Sequence, residues 1–377
     1  MWENVCTKKL TLIVILLIAI ISLTFAGDVF SFSIAPITPI YKESVAYTFS
    51  NSVRFSYLKT PSDAEYAINA LLVSKENEEG DVEYASLPFK DADAHNTSFW
   101  YMKSASDIAL LRFSWKNYIT LEGYIHGGIN TLFGAYGGVD TLGFDGQYGG
   151  GLDLGLFDKV FLRFGVHHFS GHWGDEVLYD FYERYEKGVD YLSLTEYTRN
   201  NSWYMGVRIQ PVSFVSLGVE AELPQAKAWI RPASHVPGFT EKPSSEESPE
   251  KANTSTHIWN QEGAAGRNNL SYPDSYKAWR VGVDIEGVWH LSQQMKLYSA
   301  FDVQFHQDGK INPVSCLYEE DRAWEKEYTL VFGIGLKESS NLPEFVFEVS
   351  LHSGRVPLLN YWFKKTKYVS LGVGLSF

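Results

Sequence analysis

A two-residue alternation of apolar and polar positions recurs along this chain in segments of about ten residues. In "TLGFDGQYGGGLDLGL", Leu142, Phe144, Tyr148, Leu152, Leu154 and Leu156 share one parity, while Thr141, Asp145, Gln147 and Asp153 take the other. "SFVSLGVEAEL" sets Val215, Leu217, Val219, Ala221 and Leu223 against Ser216, Glu220 and Glu222. "KLYSAFDVQFH" sets Leu297, Phe301, Val303 and Phe305 against Lys296, Asp302, Gln304 and His306, and "YVSLGVGLSF" closes the chain in the same way. An extended strand puts the two sets on opposite faces. Charge on one face of several long strands fits a barrel with lipid outside and a polar lumen inside. A soluble barrel would hide the apolar set within.

The pattern predicts strands near 45–58, 108–116, 118–134, 142–156, 159–170, 202–210, 213–223, 278–291, 295–306, 327–337, 343–352 and 367–377. The gaps alternate between long and short. Long ones fall near 59–107, 171–201, 224–277 and 307–326; short ones fall at Lys116-Asn117, Phe157-Asp158, Gln210-Pro211 and Ser292 to Gln294. Outer-membrane barrels have short periplasmic turns and long outer loops. The expected fold is therefore an antiparallel transmembrane β-barrel of about twelve strands, with both ends of the chain on the periplasmic side. Within the long gap from Lys227 to Tyr276, "RPASHVPGFTEKPSSEESPEKANTST" is rich in Pro, Ser and Glu, a composition suited to a solvated loop.

Composition supports a β-rich envelope protein. Of 377 residues 15% are aromatic, and aromatic and glycine enrichment accompanies strands. The opening "MWENVCTKKLTLIVILLIAIISLTFAG" places Lys8 and Lys9 before an apolar run from Leu10 to Ile21, with small residues near Ala26. That is the layout of a secretory signal peptide over 1–26, leaving 27–377 as the mature barrel. A net charge of -13 argues against nucleic acid as a partner. Cys6 leaves with the signal, so Cys316 has no internal disulfide partner. "GQYGGG" lies within a strand and precedes no helix, so it is no phosphate loop.

Chemistry concentrates in "RFGVHHFSGHWGDE", Arg163 to Glu176. His168, Ser170 and His172 share the parity of Val160, Leu162, Phe164 and Val166, so they are expected to face lipid near the outer leaflet. A Ser beside a His base is the core of nucleophilic acyl hydrolysis, and Asp175, Glu176 or Glu196 are the candidates to orient the ring. His168 and His172 suit zinc on a helix, but on a strand they stand about 13 Å apart. Calcium at Asp175 and Glu176 is an alternative; otherwise no cofactor is indicated. The competing reading is a polar and aromatic girdle at the membrane boundary.

"HFSGHWGDE" and the ending "SGRVPLLNYWFKKTKYVSLGVGLSF" resemble the bacterial outer-membrane family called domain of unknown function 1207. His168, Ser170, His172, Gly174, Asp175 and Glu176 match its His-x-Ser-Ser-His-x-Gly-Asp-Glu motif, and Gly171 replaces the second Ser. The resemblance runs loosely from about residue 107 to the end. It implies a bacterial outer-membrane barrel and carries no activity with it. A shorter likeness, at His168 and Ser170, is to outer-membrane lipid A deacylase and phospholipase A, which place a His-x-Ser pair on the lipid-facing side of a strand. Phe377 resembles the carboxy-terminal signal read by the barrel assembly machinery. The expected partners are thus outer-membrane lipids, that machinery and small solutes. The expected role is structural, surface-exposed or pore-like, with a lipid acyl hydrolase as the alternative.

Overall fold

The computed structural model describes residues 29–63, 65–68, 70–76, 82–88, 97–135, 141–174, 177, 193–198, 201–225, 229–232, 279–307, 323–339, 342–361 and 363–377. The expected signal peptide lies outside them. Seventeen strands follow in chain order. They are β1 (Phe30–Ile37), β2 (Ser52–Lys59), β3 (Ala70–Glu76), β4 (Val82–Pro88), β5 (Ser98–Trp115) and β6 (Ile119–Gly134). Next come β7 (Thr141–Leu156), β8 (Val160–Trp173), β9 (Ser193–Thr198), β10 (Ser202–Val212), β11 (Val215–Pro224) and β12 (Trp229–Pro232). The chain finishes with β13 (Trp279–His290), β14 (Met295–Gln307), β15 (Glu325–Leu336), β16 (Glu344–Arg355) and β17 (Lys365–Ser376).

Twelve of these close a barrel, every neighbouring pair antiparallel: β2, β17, β16, β15, β14, β13, β11, β10, β8, β7, β6 and β5, which returns to β2. The outward parity is apolar and exposed, as in Phe164, Val207, Leu217, Val219, Ile285, Phe347 and Leu371. Such a continuous apolar belt on a closed barrel is the surface that lipid covers. The chain is a transmembrane barrel of the bacterial outer-membrane type. At Phe157 and Asp158 the φ angles are 56° and 52°, the double positive φ of a tight hairpin turn, and the Phe157 ring lies 6.1 Å from that of Tyr118.

Three expectations are corrected. The strand read at 45–58 begins only at Ser52, and residues 38–51 turn into the lumen instead. Their apolar members fooled the parity rule because Tyr41, Tyr47 and Phe49 are buried inside the barrel, not lipid-facing. The strand read at 108–116 starts ten residues earlier, at Ser98. The third concerns the gaps: β3, β4, β9 and β12 fall within three of them and join as a separate sheet in the order β12-β9-β3-β4.

The inward detour has an unusual origin. β5 pairs with β2 through Ser98 to Ala105 and with β1 through Ala109 to Trp115. One position in the wall is therefore built from two collinear segments, and the chain between them enters the lumen opposite Asp107. Backbone amides of this plug find carboxylates on the wall: Ile40 N–H donates to Glu122 Oε1 at 3.0 Å and Val45 N–H to Glu286 Oε2 at 3.0 Å. Lys103 Nζ donates to the Tyr47 carbonyl at 3.2 Å. A backbone without its own secondary structure survives burial only with such partners.

Candidate functional site

Two places concentrate polar chemistry, the lumen and the outer rim. In the lumen Asp145, Asp153, Glu220, Glu222 and Asp302 all point inward, as alternation requires, but they do not line an open channel. Arg163, fully buried on β8, meets Asp153 through Nε and Nη2 at 2.8 Å, Asp107 at 2.5 Å and Glu43 of the plug at 3.3 Å. Its guanidinium lies 3.8 Å from the Tyr124 ring centre and 4.7 Å from that of Tyr41. Arg280 bonds Glu222 at 2.7 Å and the Tyr47 hydroxyl at 3.2 Å, and Arg208 bonds Asp284 at 2.8 Å. Asp145 accepts the Leu359 amide at 2.9 Å, fastening residues 356–361 across the long-loop end.

One lumenal group has the makings of a metal centre. Ligand atoms of Glu43, Asp107 and His126 lie within 4.8 Å of one another. The Arg163 contacts to Glu43 and Asp107 put a guanidinium where the cation would go, and His126 Nδ1 is already 2.5 Å from Asp107 Oδ1. The positive charge there belongs to the protein.

At the rim, β8 directs Arg163, His167 and Phe169 inward, while Phe164, His168, Ser170 and His172 face out. The rows across the wall are fixed by register: Tyr148 opposite His168, Gly146 opposite Ser170 and Phe144 opposite His172. The His168 ring sits 4.7 Å from that of Tyr148, and His172 stacks on Phe144 at 4.6 Å. Trp203 and Val166 form the pair just below, where the apolar belt ends. His168 and Ser170 therefore stand on the outward face near the long-loop end of β8, past the apolar positions Phe164 and Val166.

Parity does place His168 and Ser170 on one face, but no hydrogen bond joins them among the described residues. Same-face neighbours on a strand are about 6.6 Å apart along it, so cross-strand partners come closer. His168 Nδ1 instead lies 2.7 Å from Asn201 Oδ1. Asn201 precedes β10 and is itself held by the Gln225 amide, which donates to its carbonyl at 2.9 Å. An amide oxygen only accepts, so Nδ1 donates this bond, and in the neutral tautomer that makes it Nε2 is the acceptor. The Ser170 hydroxyl has free play because Gly146 faces it: a Cβ there would come within 3.1 Å of Oγ. Of the acids considered from sequence, Asp175 and Glu176 lie outside the described residues. Glu196 lies on β9, with its side chain outside that description. Sequence reasoning looked for an acid and passed over Asn201, whose one signal is its place at the start of the strand beside β8.

No family model matches this chain, and no curated protein does either. Solved structures that resemble it are outer-membrane barrels. The NanC porin shares 9% identity at a TM-score of 0.37, covering 86% of this chain and 98% of its own. LpxR from Salmonella typhimurium shares 10% at a TM-score of 0.32, covering 86% and 100%. The anion-selective porin from Comamonas acidovorans shares 8% at a TM-score of 0.28, covering 86% and 98%. These are likenesses of fold alone.

Proposed function

We propose that this outer-membrane barrel hydrolyses acyl esters of outer-leaflet lipids, with Ser170 as nucleophile, His168 as general base and Asn201 as the residue that positions the ring. The observation that carries this reading is the 2.7 Å contact between His168 Nδ1 and Asn201 Oδ1 on the outward face of the barrel. A boundary girdle has no use for a fixed imidazole tautomer, whereas acyl transfer requires one.

In the proposed reaction Ser170 swings from Gly146 toward His168 as the ester docks. Free-state catalytic hydrogen bonds are often long and tighten only with substrate. Nε2 takes the hydroxyl proton as Oγ attacks the ester carbonyl, and the developing imidazolium is held by Asn201. The proton passes to the departing alcohol, leaving an acyl-serine that water cleaves by the same steps in reverse order. Among the described residues, the lumenal carboxylates paired with arginines and the inward segment 38–51 favour this over the pore reading.

The test is release of fatty acid from a phospholipid or lipid A in mixed micelles by the folded, detergent-purified protein. Ser170→Ala should reduce release to the uncatalysed level with heat-modifiable gel migration unchanged. Asn201→Ala should lower kcat by about 10²–10⁴-fold, the range for losing a ring-orienting partner. Equal release by wild type and Ser170→Ala would end the proposal and return the cluster to a girdle.

A further inference from the structure

The wall that runs from β13 and β14 through β15, β16, β17 and β2 to β5 differs from the rest of the barrel. A groove of about 760 Å³ runs along its lipid-facing side, bordered by Phe55, Trp100, Leu297, Phe332, Phe347 and Leu371. On a lipid-facing wall a concave apolar groove offers acyl chains a seat that the convex belt around it does not. Above it, at the long-loop end, stand four exposed lysines of outward parity: Lys59 on β2, Lys326 on β15, and Lys365 and Lys367 on β17. Lys59 is one outward position above Tyr57, which borders the same groove.

These lysines are unevenly placed. Among the described residues, no other barrel strand carries an outward lysine at this end, although the whole chain has a net charge of -13. Among the described residues Lys59 Nζ meets the hydroxyls of Thr97 at 2.6 Å and Ser98 at 2.9 Å, and Lys367 Nζ lies 3.0 Å from the Tyr66 hydroxyl. The carboxylates that act on Lys367 are Glu65 and Asp63, in the loop above. The carboxylates beside Lys326, at Glu325 and Glu327, have the opposite parity, and Glu325 is taken by Arg355.

From these two features we infer that this wall is a binding site for a phosphorylated, multiply acylated glycolipid of the outer leaflet, the chemical class of lipid A. The acyl chains fill the groove and the head phosphates meet the lysines. From β15 to β2 is three strand spacings, about 14 Å. Cations spread over that width suit a head with two separated phosphates better than a single phosphodiester. Long lysine side chains at a membrane boundary reach headgroups readily, and each contributes to anionic lipid binding there. The site lies on a different wall from His168 and Ser170, so the lipid here is a bound companion and not the proposed substrate.

The experiment uses full-length protein carrying Ser170→Ala, so that no hydrolysis obscures binding, and compares it with the same chain bearing Lys59→Gln, Lys365→Gln and Lys367→Gln. Native mass spectrometry in detergent measures binding of purified bis-phosphorylated lipid A, its dephosphorylated form and phosphatidylglycerol. The expected result is saturable binding of the first, weakened about a hundredfold by the triple substitution, with the other two lipids weak throughout. A Leu371→Trp variant, which narrows the groove without altering charge, should weaken lipid A binding as well. Equal affinity for phosphatidylglycerol, or lipid A binding unchanged by the triple substitution, overturns the inference. Loss of binding in Leu371→Trp with the lysine variant unaffected would reduce the site to an unspecific apolar surface and overturn it too.

Discussion

Replacing residues 42–49 by a glycine-serine tether of equal length is expected to convert a closed barrel into a conducting one. The plug is one of two described lumenal segments not built from the barrel strands, and it is held by named bonds: Ile40 to Glu122, Val45 to Glu286, Lys103 to Tyr47 and Tyr47 to Arg280. Removal joins the 640 Å³ void at the short-turn end to the smaller spaces beyond Tyr47 and Phe49. Among the described residues, nine buried carboxylates remain once Glu43 leaves with the plug, against five buried arginines. The opened lumen should therefore select cations. Planar-bilayer recordings check both points: wild type should give no steps, the tethered variant discrete steps with a cation-shifted reversal potential. A tethered variant that folds and stays silent would place the block at residues 356–361 instead.

Arg163→Met is expected to destabilise the barrel by about 3–5 kcal/mol, the cost of removing one partner from a buried ion cluster. Asp153, Asp107 and Glu43 would then confront one another without a cation, inside a lumen that gives them little water. The urea midpoint of the folded, heat-modifiable form measures the loss. Adding Asp153→Leu removes one of the stranded charges and should recover part of it. Were Arg163→Met to unfold at the wild-type urea concentration, the cluster would have no structural role.

The strands themselves were legible because lipid and lumen impose one rule on every residue of a spanning segment. Phe144, Tyr148 and Leu152 against Asp145, Gln147 and Asp153 state that rule plainly. It failed at residues 45–51, where Val45, Tyr47 and Phe49 alternate as a strand does but answer to the packing of a lumen. Alternation reports which side a residue faces and is silent about whether the chain is in the wall. It also failed at Leu142, which shares the parity of Phe144 yet is buried, because the register between β6 and β7 slips beside it at Leu132 and Phe133. The outward facing of His168 and Ser170 followed from parity. Their partners did not, since Tyr148 and Asn201 are fixed by the pairing of β7, β8 and β10, and register depends on turns and bulges.

The split wall position has a mechanical consequence. A plug formed by a free chain end slips out as a thread does, but this one is stitched to β5 on both sides of its point of entry. Pulled toward the short-turn end, it cannot leave without unzipping β1 from Ala109 to Trp115; pulled the other way, it drags on β2 and on the seam with the final strand. Stopper and wall thus share one load path. Force applied at Phe30, where β1 begins, would open the lumen and tear the lower wall in the same event, and letting go would allow both to reseat together.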